Sequence, residues 1–480
     1  MKQQGSSFIG FWQSVGIRAL PFADAASTEL PLGRLLRLAL FQVSVGLAVV
    51  LLNGTLNRVL IVELGIPTWI IALMIGIPLV VAPFRALIGY KSDTHRSLLG
   101  WRRVPYIWFG TLGQFGGFAI MPFALVLITR EDTFLAGVAA ACLSFLLTGA
   151  GMHVTQTAGL ALATDIAPKA KRPRVVALLY VMLLIGMMIA AFTIGNLLAN
   201  FSNTRLVEVI QGAAVVTIVL NIVALWKQEP RGSALKKSDP PSPPFSEIWA
   251  GFTARPNTTR LLLAIGLGAM AFAMQDALLE PYGGEILGLS VGATTALTGA
   301  WAIGALIAFA FSGQRLTHGA NPLRLAGVGA VAGIFAFLMT LFAAPLGSVP
   351  LLFSGAFAIG FGTGLFSVGT MIAAMGLAKE GASGLALGAW GAVQASAAGL
   401  GIVLGGLIRD GIAYYALADG LGHTLAVRAS GYGAVYCLEI FLLLVTLIVL
   451  GPVIGLPIAD TDEKRADNAG ERFGLSEFPT

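Results

Sequence analysis

Two carboxylates lie where carboxylates are costly. Asp276 and Glu280 stand four residues apart in an apolar stretch, which puts them one turn apart on one face of an α-helix. Ionisable groups inside apolar segments are expensive to bury and mark functional sites by default. This pair can carry a proton, contact a substrate, or clamp two helices together. Asn53, Asn57 and Arg58 close another apolar stretch, and Arg58 is expected to pair with Asp276 or Glu280. His153 and Gln156 sit three residues apart on a third. An imidazole in lipid can ligate the magnesium of a chlorin pigment, or it can be satisfied by helix contacts. Glu439 falls in the last apolar stretch, facing neighbouring helices or the headgroups. Arg85 ends the second, just before Gly89, Asp93 and Arg96. Its long side chain reaches the interface or Asp93, which reads as a structural latch.

These residues do not assemble into a known catalytic pattern. The chain has no P-loop, no nucleophile elbow and no metalloprotease-type histidine pair. Cys/His spacing of the metal-binding kind is absent too, so no metal site of its own is expected. Cys142 and Cys437 fall inside apolar segments and read as small buried hydrophobes.

The elements that position these groups are membrane helices. Of 480 residues, 56% are hydrophobic and only 11% charged, against about 25% charged in soluble domains. Mean hydropathy is +0.83. Long apolar runs, each near the roughly 20 residues a helix needs to cross a bilayer, exclude a β-barrel of short alternating strands. Spans are predicted at 35–57, 67–90, 104–128, 134–163, 175–198 and 206–226. Six more are predicted at 260–281, 292–313, 323–344, 350–375, 385–408 and 431–457. The intervening 227–259 carries a basic set and the run P-P-S-P-P at 240–244, as expected of a solvated linker. The domain reading is an arm (1–34), a six-helix half (35–226), a linker (227–259), a second half (260–457) and a tail (458–480). Phe8, Phe11, Trp12, Val15 and Ala19 in the arm have the spacing of a helix on the membrane surface or on the protein's own cytoplasmic face. A cleavable signal peptide is not expected there.

Basic residues set the expected orientation. Of thirty Lys and Arg, 24 fall in the arm, the even-numbered loops and the tail. Five (Arg58, Arg130, Arg205, Arg409 and Arg428) fall on the opposite side, and Arg85 lies within a span. Both termini are therefore expected in the cytoplasm. The net charge of +6 is topological in origin and implies no nucleic acid. The halves share a weak repeat. Gly149-x-Gly151 and Ala163 match Gly360-x-Gly362 and Ala374 at a common offset, as a duplicated unit requires. In such a fold the first and seventh spans are equivalent and line a central cavity, as does the fourth.

Gly89 and Asp93 followed by basic residues resemble the loop between helices 2 and 3 of the major facilitator superfamily. The string D-T-H-R-S-L-L-G-W-R-R-V-P-Y-I-W at 93–108 is narrower. So are A-T-D-I-A-P-K-A-K-R-P-R at 163–174 and Q-D-A-L-L-E-P-Y-G-G-E-I-L-G at 275–288. Together they resemble the PucC/LhaA family, the bacteriochlorophyll delivery proteins of purple phototrophic bacteria, and the likeness covers nearly the whole chain.

The resemblance implies an all-α integral membrane protein of twelve helices in a pseudo-symmetric 6+6 bundle. It implies a non-enzymatic factor that chaperones antenna α/β polypeptides, delivers bacteriochlorophyll, or both. The arm string at 18–31 leans toward the LhaA type, which serves the core antenna around the reaction centre. Implied partners are the antenna polypeptides, reaction centre–antenna assembly intermediates, bacteriochlorophyll synthesis enzymes and membrane lipid. The implied location is the bacterial inner, intracytoplasmic membrane, with bacteriochlorophyll transiently bound. The competing reading is a proton-coupled transporter of a small apolar or amphipathic solute, with Asp276 or Glu280 as proton carrier. A pigment-processing enzyme is disfavoured because no catalytic constellation is present.

Overall fold

The computed structural model describes residues 31–80, 101, 103–168, 172–229, 257–376, 383–418, 420 and 427–454. Arg85, Gly89, Asp93 and Arg96 lie outside these residues, as do the arm through residue 30, most of the linker and the tail.

The described residues are helical, with no strand among them. The first six elements are α1 (Leu32–Glu63), α2 (Thr68–Val80), α3 (Val104–Ile128), α4 (Phe134–Ile166), α5 (Arg172–Leu197) and α6 (Asn203–Leu225). The others are α7 (Thr258–Glu285), α8 (Val291–Thr317), α9 (Pro322–Ala343), α10 (Val349–Gly376), α11 (Ser383–Leu417) and α12 (Ala429–Ile454). Eleven of them are long and apolar enough to cross a membrane; the described part of α2 is shorter.

Local chemistry starts these helices where side chains can supply the missing acceptors. Ser202, Ser290 and Asn321 cap α6, α8 and α9 by accepting hydrogen bonds from backbone N–H groups in the first turn. Glu229, arriving from the far end of α6, accepts from Arg103 N and Val104 N at the start of α3. Arg34 and Gln228 bond each other reciprocally and tie the same end of α6 to α1.

Glycine lets the backbones meet. Gly151 on α4 packs against Gly110 and Gly113 of α3, and Gly362 on α10 packs against Gly329 and Gly333 of α9. The repeated glycines thus make the same kind of contact in each half, where close packing drives helix association in lipid. The halves meet along two seams. Gly76 and Ala72 of α2 lie on Gly399 and Gly406 of α11, while Gly195 of α5 lies on Gly292 of α8.

Two spans run further than predicted. α1 continues through two π-helical stretches, Val50–Leu56 and Val59–Glu63. α11 continues through Leu417. Arg58 and Arg409, counted above on the side opposite the cytoplasm, are therefore inside helices, where they are buried. Of the basic residues assigned to that end of the bundle, Arg130, Arg205 and Arg428 remain outside the helix interiors or near their tips. Cys142 and Cys437 also differ from expectation: both are exposed on the outer surface of the bundle and unpaired. In a membrane helix an apolar surface residue has lipid as its environment, so apolarity alone does not imply burial in protein.

Candidate functional site

Three polar assemblies lie within the helical bundle. The first is a cavity of about 130 Å³ in the first half. Asn53 from the π-helical part of α1 and His153 and Gln156 from α4 form its polar corner, and Val45, Phe145 and Met152 are among its apolar walls. Gln156 Nε2 donates to Gln42 Oε1 at 3.4 Å. Gln42 is fully buried on α1 and was not singled out from sequence; its place in an apolar run was the only signal. π-Turns often mark functional positions, because one extra residue re-aims the side chains around it. Here the distortion covers Val50–Leu56 and Val59–Glu63, which include Asn53.

The second assembly lies on the seam between halves. α7 is not a continuous α-helix: Thr258–Ala273 is followed by a 3-10 turn, Met274–Ala277, and then Leu279–Glu285. Pro281 supplies the cause, since its ring has no N–H and collides with the carbonyl four residues back, at Ala277. Asp276 and Glu280 therefore do not share one regular turn. Glu280 Oε1 accepts from Thr298 on α8, and its other oxygen is buried without a hydrogen-bond partner. A Cβ at Gly54 would overlap that Glu280 carboxylate, so a larger residue there would displace the Glu280 side chain.

Arg58 does not hydrogen-bond either carboxylate. Its ion pair is with Glu63, and its Nη2 donates to Leu289 O at 3.1 Å across the seam. Glu280 remains within electrostatic reach. The extra turns of α1 bring Glu63 round to Arg58, while Gly288, at φ 65°, lets the α7–α8 connection turn towards it. Asn57 is buried and donates to Asn53 O at 2.9 Å.

The third assembly closes the same end of the second half. Arg409 of α11 bonds Glu285 of α7, Asp410 and the Tyr432 hydroxyl of α12. Tyr432 donates to Glu285 at 2.7 Å, and Arg428 adds a bond at 2.9 Å. Asp410 reaches into the first half, accepting from Trp69 N at 2.9 Å. Sequence reading missed this cluster because Glu285, Arg409 and Asp410 lay just beyond the apolar windows.

Tyr282, in the L-E-P-Y-G string, is buried beside this cluster. Its hydroxyl donates to Thr340 O and accepts from Ala344 N, each at 3.0 Å, which fastens α7 to the end of α9. Glu439 does not face headgroups. It is fully buried on α12, turned towards Gln275 and Asp276 at the break in α7.

Two six-helix units packed along paired seams, with buried polar groups between them, define a polytopic helical membrane protein of the major facilitator type. A solved structure of that type, a bacterial homologue of the human lysosomal transporter Spinster in an inward-facing, unoccupied conformation, superposes with a TM-score of 0.64. It covers 90% of this chain and 97% of its own, at 16% identity. The chain belongs to the PucC family, whose model, described as PUCC protein, matches residues 55–456.

"Protein PucC" of Rhodovulum sulfidophilum is 55% identical over 83% of this chain and 90% of its own length. The "Uncharacterized protein in puhA-bchM intergenic region" of Rhodobacter capsulatus is 52% identical over 97% of this chain and 98% of its own. Family and fold point to a non-enzymatic membrane protein. A more distant relative, 30% identical, nevertheless carries the name "Bacteriochlorophyll synthase 44.5 kDa chain".

Proposed function

We propose that this protein assembles photosynthetic antenna in a purple phototrophic bacterium, handing bacteriochlorophyll to antenna α/β polypeptides or chaperoning them, at the core antenna around the reaction centre. The observation that carries this reading is the cavity. Its walls are apolar, and its polar corner is one imidazole with the amides of Asn53 and Gln156. That donor set suits an apolar ligand with a single coordinating centre better than a sugar or an inorganic ion, either of which needs many polar partners. A bound chlorin would supply its own magnesium. His153 would hold that magnesium, and Gln156 and Asn53 would orient polar groups of the ligand.

The protein itself does no chemistry in this reading. It works in the inner, intracytoplasmic membrane with both termini in the cytoplasm, following its basic loops. Assembly intermediates of the reaction centre and antenna, and the enzymes that make the pigment, are the partners this role requires.

Purification in mild detergent followed by absorbance spectroscopy tests the proposal. Chlorin bands and co-purifying antenna polypeptides are expected. In His153→Ala, bound pigment is expected to fall severalfold while the protein stays folded by circular dichroism. Unchanged stoichiometry rejects His153 as the ligand.

A second reading, proton-coupled transport of a small apolar solute, draws on Glu280 and Arg58 at the seam between halves. It requires that Asp276→Asn or Glu280→Gln abolish proton-driven flux into vesicles. A colourless, solitary protein showing that loss would replace the first reading.

A further inference from the structure

The break in α7 holds a set of oxygen atoms that lacks a donor. Gln275 uses its Nε2 to bond Asp276 Oδ1, and the same amide approaches Phe272 O at 3.4 Å. Its Oε1, on that amide and therefore beside Asp276, is buried with no hydrogen-bond partner. Both carboxylate oxygens of Glu439 are buried without one as well, as is the hydroxyl of Tyr436, one turn earlier on α12. Gln275 is 2% exposed, and Glu439 and Tyr436 are 0%. Every unpartnered atom here is an oxygen, and three of the four can only accept. Unpaired buried acceptors and charges are heavily disfavoured, so native structures supply a partner.

Among the described residues, none supplies a basic group here. Glu439 is the one charged residue of α12, and α9 has only Arg324, exposed in its first turn. Arg260, in the first turn of α7, donates to Val449 O. On α11, Arg409 and Asp410 are engaged with Glu285, Tyr432 and Trp69. The hydroxyls of Tyr282 and Tyr432 are engaged elsewhere, with Thr340 and Ala344 and with Glu285 and Arg409. The groups that act on Glu439 are Asp276, Tyr436 and the backbone N–H of Gln275, which approaches the carboxylate without reaching hydrogen-bond geometry.

We propose that Asp276, Gln275 and Glu439 form a buried site for a single monovalent cation, H⁺ or Na⁺, reached through Asp276. Asp276 is the partly exposed member, and its 3-10 turn touches α1 and α2 of the other half, so the entrance lies on the seam. Two carboxylates can share one positive charge between them. A divalent ion would call for about six oxygen ligands or more, and among the described residues no group of three His, Cys, Asp or Glu gathers. The site is separate from the His153 cavity and stands whether or not pigment binds there.

Thermal unfolding of the full-length protein in detergent tests this. A ligand bound only by the native state raises the midpoint with its concentration. The wild-type midpoint is read across pH at fixed Na⁺, and across Na⁺ at fixed pH with K⁺ replacing it. A proton occupant lowers the midpoint by several degrees as pH rises and leaves it indifferent to Na⁺; a sodium occupant raises it with Na⁺. In E439Q, whose amide brings its own donor, either response is expected to vanish. D276N is the parallel variant should E439Q fail to fold. A wild type indifferent to both ions, or a response intact in E439Q or D276N, overturns the proposal.

Discussion

Arg409→Ala is expected to destabilise the protein by about 3–5 kcal/mol, the cost of removing one partner from a buried ion pair. The side chains of Arg409 and Glu285 are only 11% and 13% exposed, so water screens the pair weakly. Without Arg409, Glu285 keeps the Tyr432 hydroxyl and the exposed Arg428. Neither replaces a buried guanidinium that also lies 4.5 Å from the Tyr432 ring centroid. The loss should appear as a large drop in the detergent unfolding midpoint. Arg428→Ala, which removes the partner that is 67% exposed, should cost no more than about 1 kcal/mol. Equal effects of the two variants would show that this cluster is held by something other than its buried charge.

Gly292→Val is expected to prevent the two halves from closing along the α5–α8 seam. A Cβ at residue 292 would overlap the carbonyl oxygen of Gly195 and lie 3.2 Å from the Ala199 backbone. The obstacle is main chain in a packed helix pair, so no rotamer change relieves it. Ordinary overpacking costs about 1–3 kcal/mol, and a clash between backbones belongs at or above the top of that range. Loss of the monodisperse species in size-exclusion chromatography measures it. Gly212→Val is the matched control, because nothing lies within 4 Å of a Cβ there. A Gly292→Val protein as stable as the control would mean that this seam opens at little cost.

The sequence by itself determined the class of this protein. Twelve apolar stretches, a basic linker and one-sided loop charge come from composition and period, which are local properties. The family strings are local too. Most helix boundaries followed within a few residues, and even the match of Gly151 with Gly362 marked a contact that recurs in both halves.

What tertiary structure decided was which polar residues meet. His153, Gln156 and Asn53 come together in one cavity. Asp276 and Glu280, expected to share a face, are parted by a break that ends four residues before its cause, Pro281. Arg58 turns to Glu63 because π-turns prolong its helix. Glu439 and Gln275 are 164 residues apart in sequence (439 − 275), and only the packing of α12 on α7 makes them neighbours. The physical reason is that hydropathy reports how far a segment enters the membrane but not its rotation about its own axis. A Cys and a Glu two residues apart on α12 therefore look alike in sequence as residues of one apolar span. Packing turns Cys437 to the surface and Glu439 to the core.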